Sequence, residues 1–210
     1  MCKWLELYIM KNTKNNYNWY NVTLYQFERL QELIKIEDET ERTIAIAELI
    51  LGNDVTNLPI SEFKKEITKL EFLKEPIPDK IPPKKIQLNG KKYFIDSLLG
   101  NISTAQYVDF TNHSKSGNMA KMLSVFIIPE GHKYNDGYDM LEVINDIEQL
   151  PIPVVNSTAF FFKRQLEKFI QIFQSYSIKR IKKLNLPKET KKNMIKVVKE
   201  SVDLVLSHSF

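Results

Sequence analysis

The chain has little cysteine, glycine, histidine and arginine, and each shortage removes a class of protein from consideration. Cys2 is the only cysteine in 210 residues, so no intramolecular disulfide can form and the disulfide-stapled secreted scaffolds are excluded. Six glycines are too few for an all-β fold built on many tight turns. None of them falls into a phosphate-cradling loop or a dinucleotide fingerprint. No apolar run approaches the roughly 18–20 residues of a membrane span. Met1 to Met10 is amphipathic, carries Lys3 and Glu6, and leads into an Asn-rich stretch with no small-residue cleavage site, which does not read as a signal peptide. The expectation is a cytosolic protein, or one delivered by a route that needs no signal, with no membrane partner.

The shortage extends to groups that carry chemistry. There are three histidines: His113 in a polar stretch expected to be a loop, His132 beside a glycine, and His208 close to the end of the sequence. No two stand four apart and there is no Cys-x-x-Cys, so zinc signatures are missing. Asn135-Asp136-Gly137-Tyr138-Asp139 superficially suggests a calcium loop, but it lacks the alternating acid ligands and the closing Glu. A turn followed by an Asp139 helix cap accounts for it better. Cys2 has no neighbouring cue for a base. Glu37-Asp38-Glu39 and Glu41 read as solvated turn charges. The expectations are no metal, no cofactor, no catalytic residue and no enzymatic activity.

What the chain does contain is a repeated helix opening. Asn21-Val22-Thr23-Leu24-Tyr25-Gln26-Phe27 is answered 80 positions later by Asn101-Ile102-Ser103-Thr104-Ala105-Gln106-Tyr107. Each copy has a hydroxyl residue followed three places on by Gln, the spacing of a capping box. After the first opening, Leu24, Phe27, Leu30, Leu33 and Ile34 recur at helical spacing. A second helix follows through Ile44–Leu51 and stops at Gly52-Asn53. A third opens at Pro59 and Ser61 with Phe63, Ile67, Leu70 and Leu73 on one face. Four prolines between residues 75 and 85 exclude helix there and make a stiff linker. Asn89-Gly90, between the apolar-bearing runs at Ile86–Leu88 and Tyr93–Ile95, predicts a two-stranded β-hairpin lying on helices.

The second opening predicts a helix over about Thr104 to Phe110, a polar break at 111–118, and a second helix with Met119, Met122, Leu123, Val125 and Phe126 that ends near Pro129-Glu130-Gly131. Met140 to Leu150 supplies a third. Leu70 and Ile147, like Leu73 and Leu150, are 77 apart, near the offset of the openings, which is what a duplication predicts. Beyond Pro151-Ile152-Pro153, Ser157 is a candidate cap for a long helix whose stripe Phe162, Leu166, Phe169, Phe173, Tyr176 keeps to one face, widened by Phe161 and Ile172. Pro187 ends it and stands near the start of the last helix. The fold class is therefore mainly α: two pseudo-repeated three-helix units, a small β-hairpin between them and a C-terminal helical hairpin. The segments are 1–21, a helical unit at 22–75, the linker and hairpin at 76–100, a second unit at 101–152, and a basic, Phe-rich hairpin at 153–210.

Two features suggest interaction surfaces. Phe160-Phe161-Phe162 cannot all face one side of a helix, because neighbours are about 100° apart. Either the helix is buried nearly all round or at least one Phe meets a partner. Residues 151–210 also hold 12 Lys/Arg against 4 Asp/Glu, whereas residues 1–150 hold 18 against 22. Lys179, Arg180, Lys182 and Lys183, with the lysines after Pro187, would form one basic tip. A nucleic-acid surface is one reading of such asymmetry. Compositional bias is the other, since only 4 of the 30 basic residues are Arg, the residue expected where phosphates are gripped.

The openings Val22-Thr23-Leu24-Tyr25-Gln26-Phe27 and Ile102-Ser103-Thr104-Ala105-Gln106-Tyr107 resemble segments of uncharacterised proteins of tailed bacteriophages, those of crAss-like and other phages of Bacteroidetes hosts. So does the run Leu123-Ser124-Val125-Phe126-Ile127-Ile128-Pro129 before Tyr134-Asn135-Asp136-Gly137-Tyr138-Asp139. The resemblance covers roughly residues 22–175. Such proteins are generally encoded among virion and tail genes, and some similar ones are labelled tail-assembly chaperones. It implies a structural or assembly protein acting through protein–protein contacts in virion or tail morphogenesis. Its partners would be other virion or tail proteins or further copies of itself, in the host cytoplasm or the virion. It transfers no catalytic residues. The alternative expectation is a nucleic-acid-binding accessory protein using the basic C-terminal helices.

Overall fold

A computed structural model describes residues 17–95 and 102–208. The protein is mainly helical, with one small sheet. Its helices are α1 Leu24–Leu33, α2 Glu39–Leu51, α3 Ile60–Thr68, α4 Thr104–Ser116, α5 Met119–Ser124, α6 Met140–Glu148, α7 Ile152–Lys183 and α8 Lys188–His208, with 3-10 turns at Trp19–Asn21 and Glu71–Lys74. The strands β1 Lys85–Leu88, β2 Lys91–Ile95 and β3 Ile127–Pro129 form an antiparallel sheet in the order β1-β2-β3. The chain divides into two compact units, one running to Ile81 and including Ile144–Ser157, the other made of Pro82–Val143 and the residues from Thr158 onward.

In the first unit the repeated opening forms as its residues predict. Thr23 Oγ1 accepts from Gln26 N at 3.2 Å, and the Gln26 side-chain oxygen accepts from Thr23 N at 3.0 Å. That uses one half of the Gln amide. The other half, Nε2, donates to Leu49 O in the last turn of α2 at 2.9 Å, where a helix carbonyl has no partner within its own helix. α2 then stops at Gly52, whose φ of 72° lies in the left-handed region that a side chain would disfavour. Trp19, Val22, Leu24, Leu30, Ala47, Ile50, Val55 and Phe72 are buried. Trp19 stands edge-on to Phe72 at 5.5 Å and donates its indole N–H to Glu75 O, so its ring is buried without an orphaned donor. Ile147 and Leu150 are buried in this unit. Leu24 N donates to Leu150 O and Ile152 N to Val22 O, closing a bridge between Thr23 and Pro151.

The second unit repeats the device. Ser103 Oγ accepts from Gln106 N at 3.1 Å, and Gln106 Oε1 accepts from Ser103 N at 2.9 Å. Gln106 Nε2 donates to Val125 O at 3.1 Å, at the end of α5. Four residues beyond Val125 stands Pro129, which has no N–H to offer. In both copies one Gln therefore joins the start of one helix to the end of the next. The sheet forms around Asn89 and Gly90, at φ 49° and 79°, the left-handed pair that a two-residue turn requires. Ile86, Tyr93 and Ile95 are buried, as are Leu123, Val125, Phe126, Ile127 and Phe162.

Three local expectations change. The polar stretch 111–116 is helix, not a break, and α4 runs on to Gly117. Thr111, Ser114 and Ser116 fold their hydroxyls back onto carbonyls of their own helix, which satisfies polar side chains without leaving the helix. His113 is accordingly helical. The residues expected to end the next helix instead form β3, with Ile127 opposite Ile95 and Pro129 opposite Tyr93. A two-stranded hairpin is marginal alone, and the third strand gives β2 a partner on its other side. The long helix opens at Ile152 rather than at Ser157, whose hydroxyl donates to Val154 O inside it. Pro153 sits in the first turn, where a missing N–H loses no helical bond. The first expected segment, 1–21, is described only from residue 17, and residues 96–100 of the linker segment lie outside the described residues.

The doubled role of the Gln amide yields a sharp prediction. Glu at this capping position keeps the acceptor for Ser103 N–H and is ordinarily favourable, but it cannot donate to Val125 O. Gln106→Glu is expected to lower stability in urea unfolding by about 1–3 kcal/mol, the range for a buried polar group left without its partner. Stability equal to wild type would show that the bridge to α5 contributes nothing.

Candidate interaction surface on the long helix

Nothing in the sequence of α7 interrupts a helix after its first turn: it holds no glycine, and Pro153 is its only proline. Its 32 residues span about 48 Å at 1.5 Å per residue. Within the second unit its inward side carries Thr158, Ala159, Phe162 and Ile181, all buried. The cations Arg164, Lys168, Lys179, Arg180, Lys182 and Lys183 of α7 are exposed. Glu167 is the only acid in the helix and is half-buried, so the exposed residues of α7 include no Asp or Glu.

The three phenylalanines separate. Phe162 is buried, stacked on Phe126 with ring centroids 4.1 Å apart, while Phe110 meets the same Phe126 ring edge-on at 5.2 Å. Phe161 is half-buried and touches Phe162 edge-on. Phe160 is 51% exposed. The triplet is thus one core anchor, one boundary residue and one surface residue. Two residues assigned to the stripe and its margin stand in solvent: Ile172 is 69% exposed and Tyr176 57% exposed. Tyr176 is only about 40° round the helix from Phe162, so its exposure follows from its place along α7 and not from its side of the helix. The side chains of Leu166, Phe169 and Phe173 lie outside the described residues.

Lys179, Arg180, Lys182 and Lys183 do stand together on the last turn and a half of α7 and are exposed. They are partly occupied locally. The Arg180 guanidinium lies 5.9 Å from the Tyr176 ring centroid, a cation–π contact. Lys182 presents its carbonyl to Lys191 Nζ. Upstream, Lys168, Gln171, Ile172, Ser175, Tyr176 and Lys179 line a shallow, open depression. Of these, Lys168, Gln171 and Ser175 were missed in the linear reading, although one turn of a helical wheel brings them beside Ile172 and Lys179.

Other groups with perturbed chemistry are structural. The Tyr134 hydroxyl donates to Asp109 at 2.6 Å, and burial together with that carboxylate pushes its pKa up. This fastens the loop before α6 to α4. Burial also raises Tyr138, whose hydroxyl is buried without a hydrogen-bond partner. Partial desolvation and the Glu148 and Glu32 carboxylates raise Glu28. Asn135, at φ 60°, belongs to a turn, and Asp139 Oδ1 caps α6 by accepting from Leu141 N. No group of three or more His, Cys, Asp or Glu side chains suited to a metal ion occurs among the described residues. No helix among them is long and apolar enough to cross a membrane. Cys2 and the side chain of His208 lie outside the described residues.

No family model, no curated protein and no solved structure matches this chain.

The division of the triplet is open to direct measurement. Phe162→Ala is expected to reduce unfolding stability by about 3–5 kcal/mol, as for other buried Phe truncations. Phe160→Ala should stay within about 0.5 kcal/mol of wild type. Equal losses at the two positions would contradict the assignment of Phe160 to the surface.

Proposed function

We propose that this protein is a non-enzymatic structural or assembly component of a tailed bacteriophage, acting through protein–protein contacts in virion or tail morphogenesis. The observation that carries the reading is the outer side of α7, where Ile172 and Tyr176 are exposed among Lys168, Lys179 and Arg180. Large apolar side chains held in water by an ordered helix suit a surface that another protein covers. The setting comes from the likeness of residues 22–175 to proteins encoded among virion and tail genes. Its partners are other virion or tail proteins or further copies of itself, met in the host cytoplasm or in the particle.

A nucleic-acid-binding accessory role is the second reading, favoured by the clustered cations at the end of α7 and along α8. Binding through phosphates alone would be strongly salt-dependent and insensitive to sequence. A salt titration of DNA binding, repeated with Lys179, Arg180, Lys182 and Lys183 changed to Glu, separates the two roles. The second reading requires binding at low salt that the substitutions abolish.

For the leading reading, mass spectrometry of purified particles and co-purification from infected cells should recover the protein with virion or tail proteins. Absence from the particles together with no virion protein in the co-purified material would refute it.

A further inference from the structure

We infer that this chain associates with itself head-to-tail. The acidic corner between α1 and α2 of one copy seats on the exposed stretch of α7, from Lys168 to Lys179, of the next. The inference rests on the reading of that stretch as a protein-contact surface and names what covers it. Each face joins an exposed aliphatic side chain to charge of one sign. On α7, Ile172 is 69% exposed and lies in the shallow depression with Tyr176, between the exposed Lys168 and Lys179. Those two lysines stand about 20° apart round the helix and about 16 Å apart along it.

At the corner, Ile34 is 50% exposed just past the end of α1. Residues 37–41 hold four exposed acids and no cation. Lys35 is the one exposed cation beside them, since Arg42 is half-buried and donates to Ile36 O. Helix chemistry accounts for part of the cluster. Asp38 caps α2 by accepting from Glu41 N, and Glu39 and Glu41 lie in its first turn, where a carboxylate is favourable. It accounts neither for Glu37, outside the helix, nor for an isoleucine left in water next to these acids.

Charge complementarity argues for a second copy as the occupant. The first unit holds 16 acids against 11 cations in its sequence, and the second 10 against 19. Every copy therefore carries both halves of an opposite-sign pair. The signs also fix the polarity of the contact. Two α7 stretches brought together would set lysine on lysine, and two corners acid on acid, which like-charge juxtaposition penalises. Corner on α7 brings opposite charges together while Ile34 meets Ile172 and Tyr176. Such a contact is heterologous, so each copy keeps one face of each kind open and further copies add in the same way. Nucleic acid suits the stretch less well. Ile172 offers nothing to a phosphate, and the Arg180 guanidinium over the Tyr176 ring competes with a stacked base.

The test is sedimentation velocity of the full chain over a concentration series at low and high salt. Self-association should appear at low salt and weaken as salt rises. Ile172→Asp breaks one face and Ile34→Asp the other, and each alone should weaken association about tenfold or more. Lys168→Glu combined with Lys179→Glu should do the same. All four positions are exposed, so circular dichroism should match wild type. Mixing Ile172→Asp with Ile34→Asp should restore association as a one-to-one dimer that grows no further. One variant supplies an intact corner and the other an intact α7, and regained binding shows both to be folded. A monomer at every concentration, association indifferent to either isoleucine, or a mixture that stays monomeric would each overturn the inference. A monomer that binds labelled oligo(dT) through Lys168 and Lys179 would assign the stretch to nucleic acid instead. Protein recovered with virion proteins but never self-associated removes this inference and leaves the assembly role standing. Protein that self-associates as described but never meets virion proteins does the reverse.

Discussion

The fold depends on a glutamine amide that serves two helices at once. At Gln26 and again at Gln106 the carbonyl end closes a capping box, and the N–H end satisfies a carbonyl at the end of the following helix. A helix end is where backbone polar groups lack partners, and burying one unsatisfied is costly. By meeting a start and an end with one side chain, each glutamine lets two short helices turn back on each other while their apolar faces are buried. α5, from Met119 to Ser124, is too short to be stable on its own propensity. It persists because Asn118 caps its start, Gln106 meets the carbonyl at its end, and Ala120, Met122 and Leu123 are buried.

The openings were legible in the sequence because capping is local chemistry. A hydroxyl with Gln three residues on specifies both hydrogen bonds whatever the rest of the chain does. The same holds for Asn89-Gly90 and for the Asp139 cap, where the requirement is a backbone angle or one acceptor. What linear reading could not supply was the third contact, from the Gln amide to a carbonyl 19 or 23 residues further along. Nor could it separate strand from helix at Phe126-Ile127-Ile128. A short apolar run carries no periodicity to decide between them, and β2 decides it by offering unpaired backbone groups. The polar end of α4 was hidden for a related reason. Thr, Ser, Asn and His suggest a loop until the Thr111, Ser114 and Ser116 hydroxyls find carbonyls one turn back.

The candidate surface was half legible. Counting charges located the basic segment, and three consecutive Phe showed that the helix must have more than one kind of face. Assigning those faces needed the core. Phe126 accepts Phe162 in a stacked contact, and that single contact sets the rotation of α7 within its unit. Once Phe162 points inward, 100° steps leave Phe160 outside and turn Lys168 away from the core as well. The stripe read from the sequence keeps to one face by its spacing, but spacing alone does not say how far along the helix that face stays covered. The structure shows a helix with an inner seam and an outer face of mixed character, as a 32-residue helix can have when its inner side alone packs on the core.

That outer face also explains why the charge of the chain is divided as it is. Like charges four apart destabilise a helix by about 0.2–0.5 kcal/mol per pair, so α7 tolerates its outer cations through the burial of Phe162 and Ile181 on its inner side. α8, whose residues up to Ser201 are exposed or half-buried, carries acids among its lysines, with ion pairs along its exposed surface.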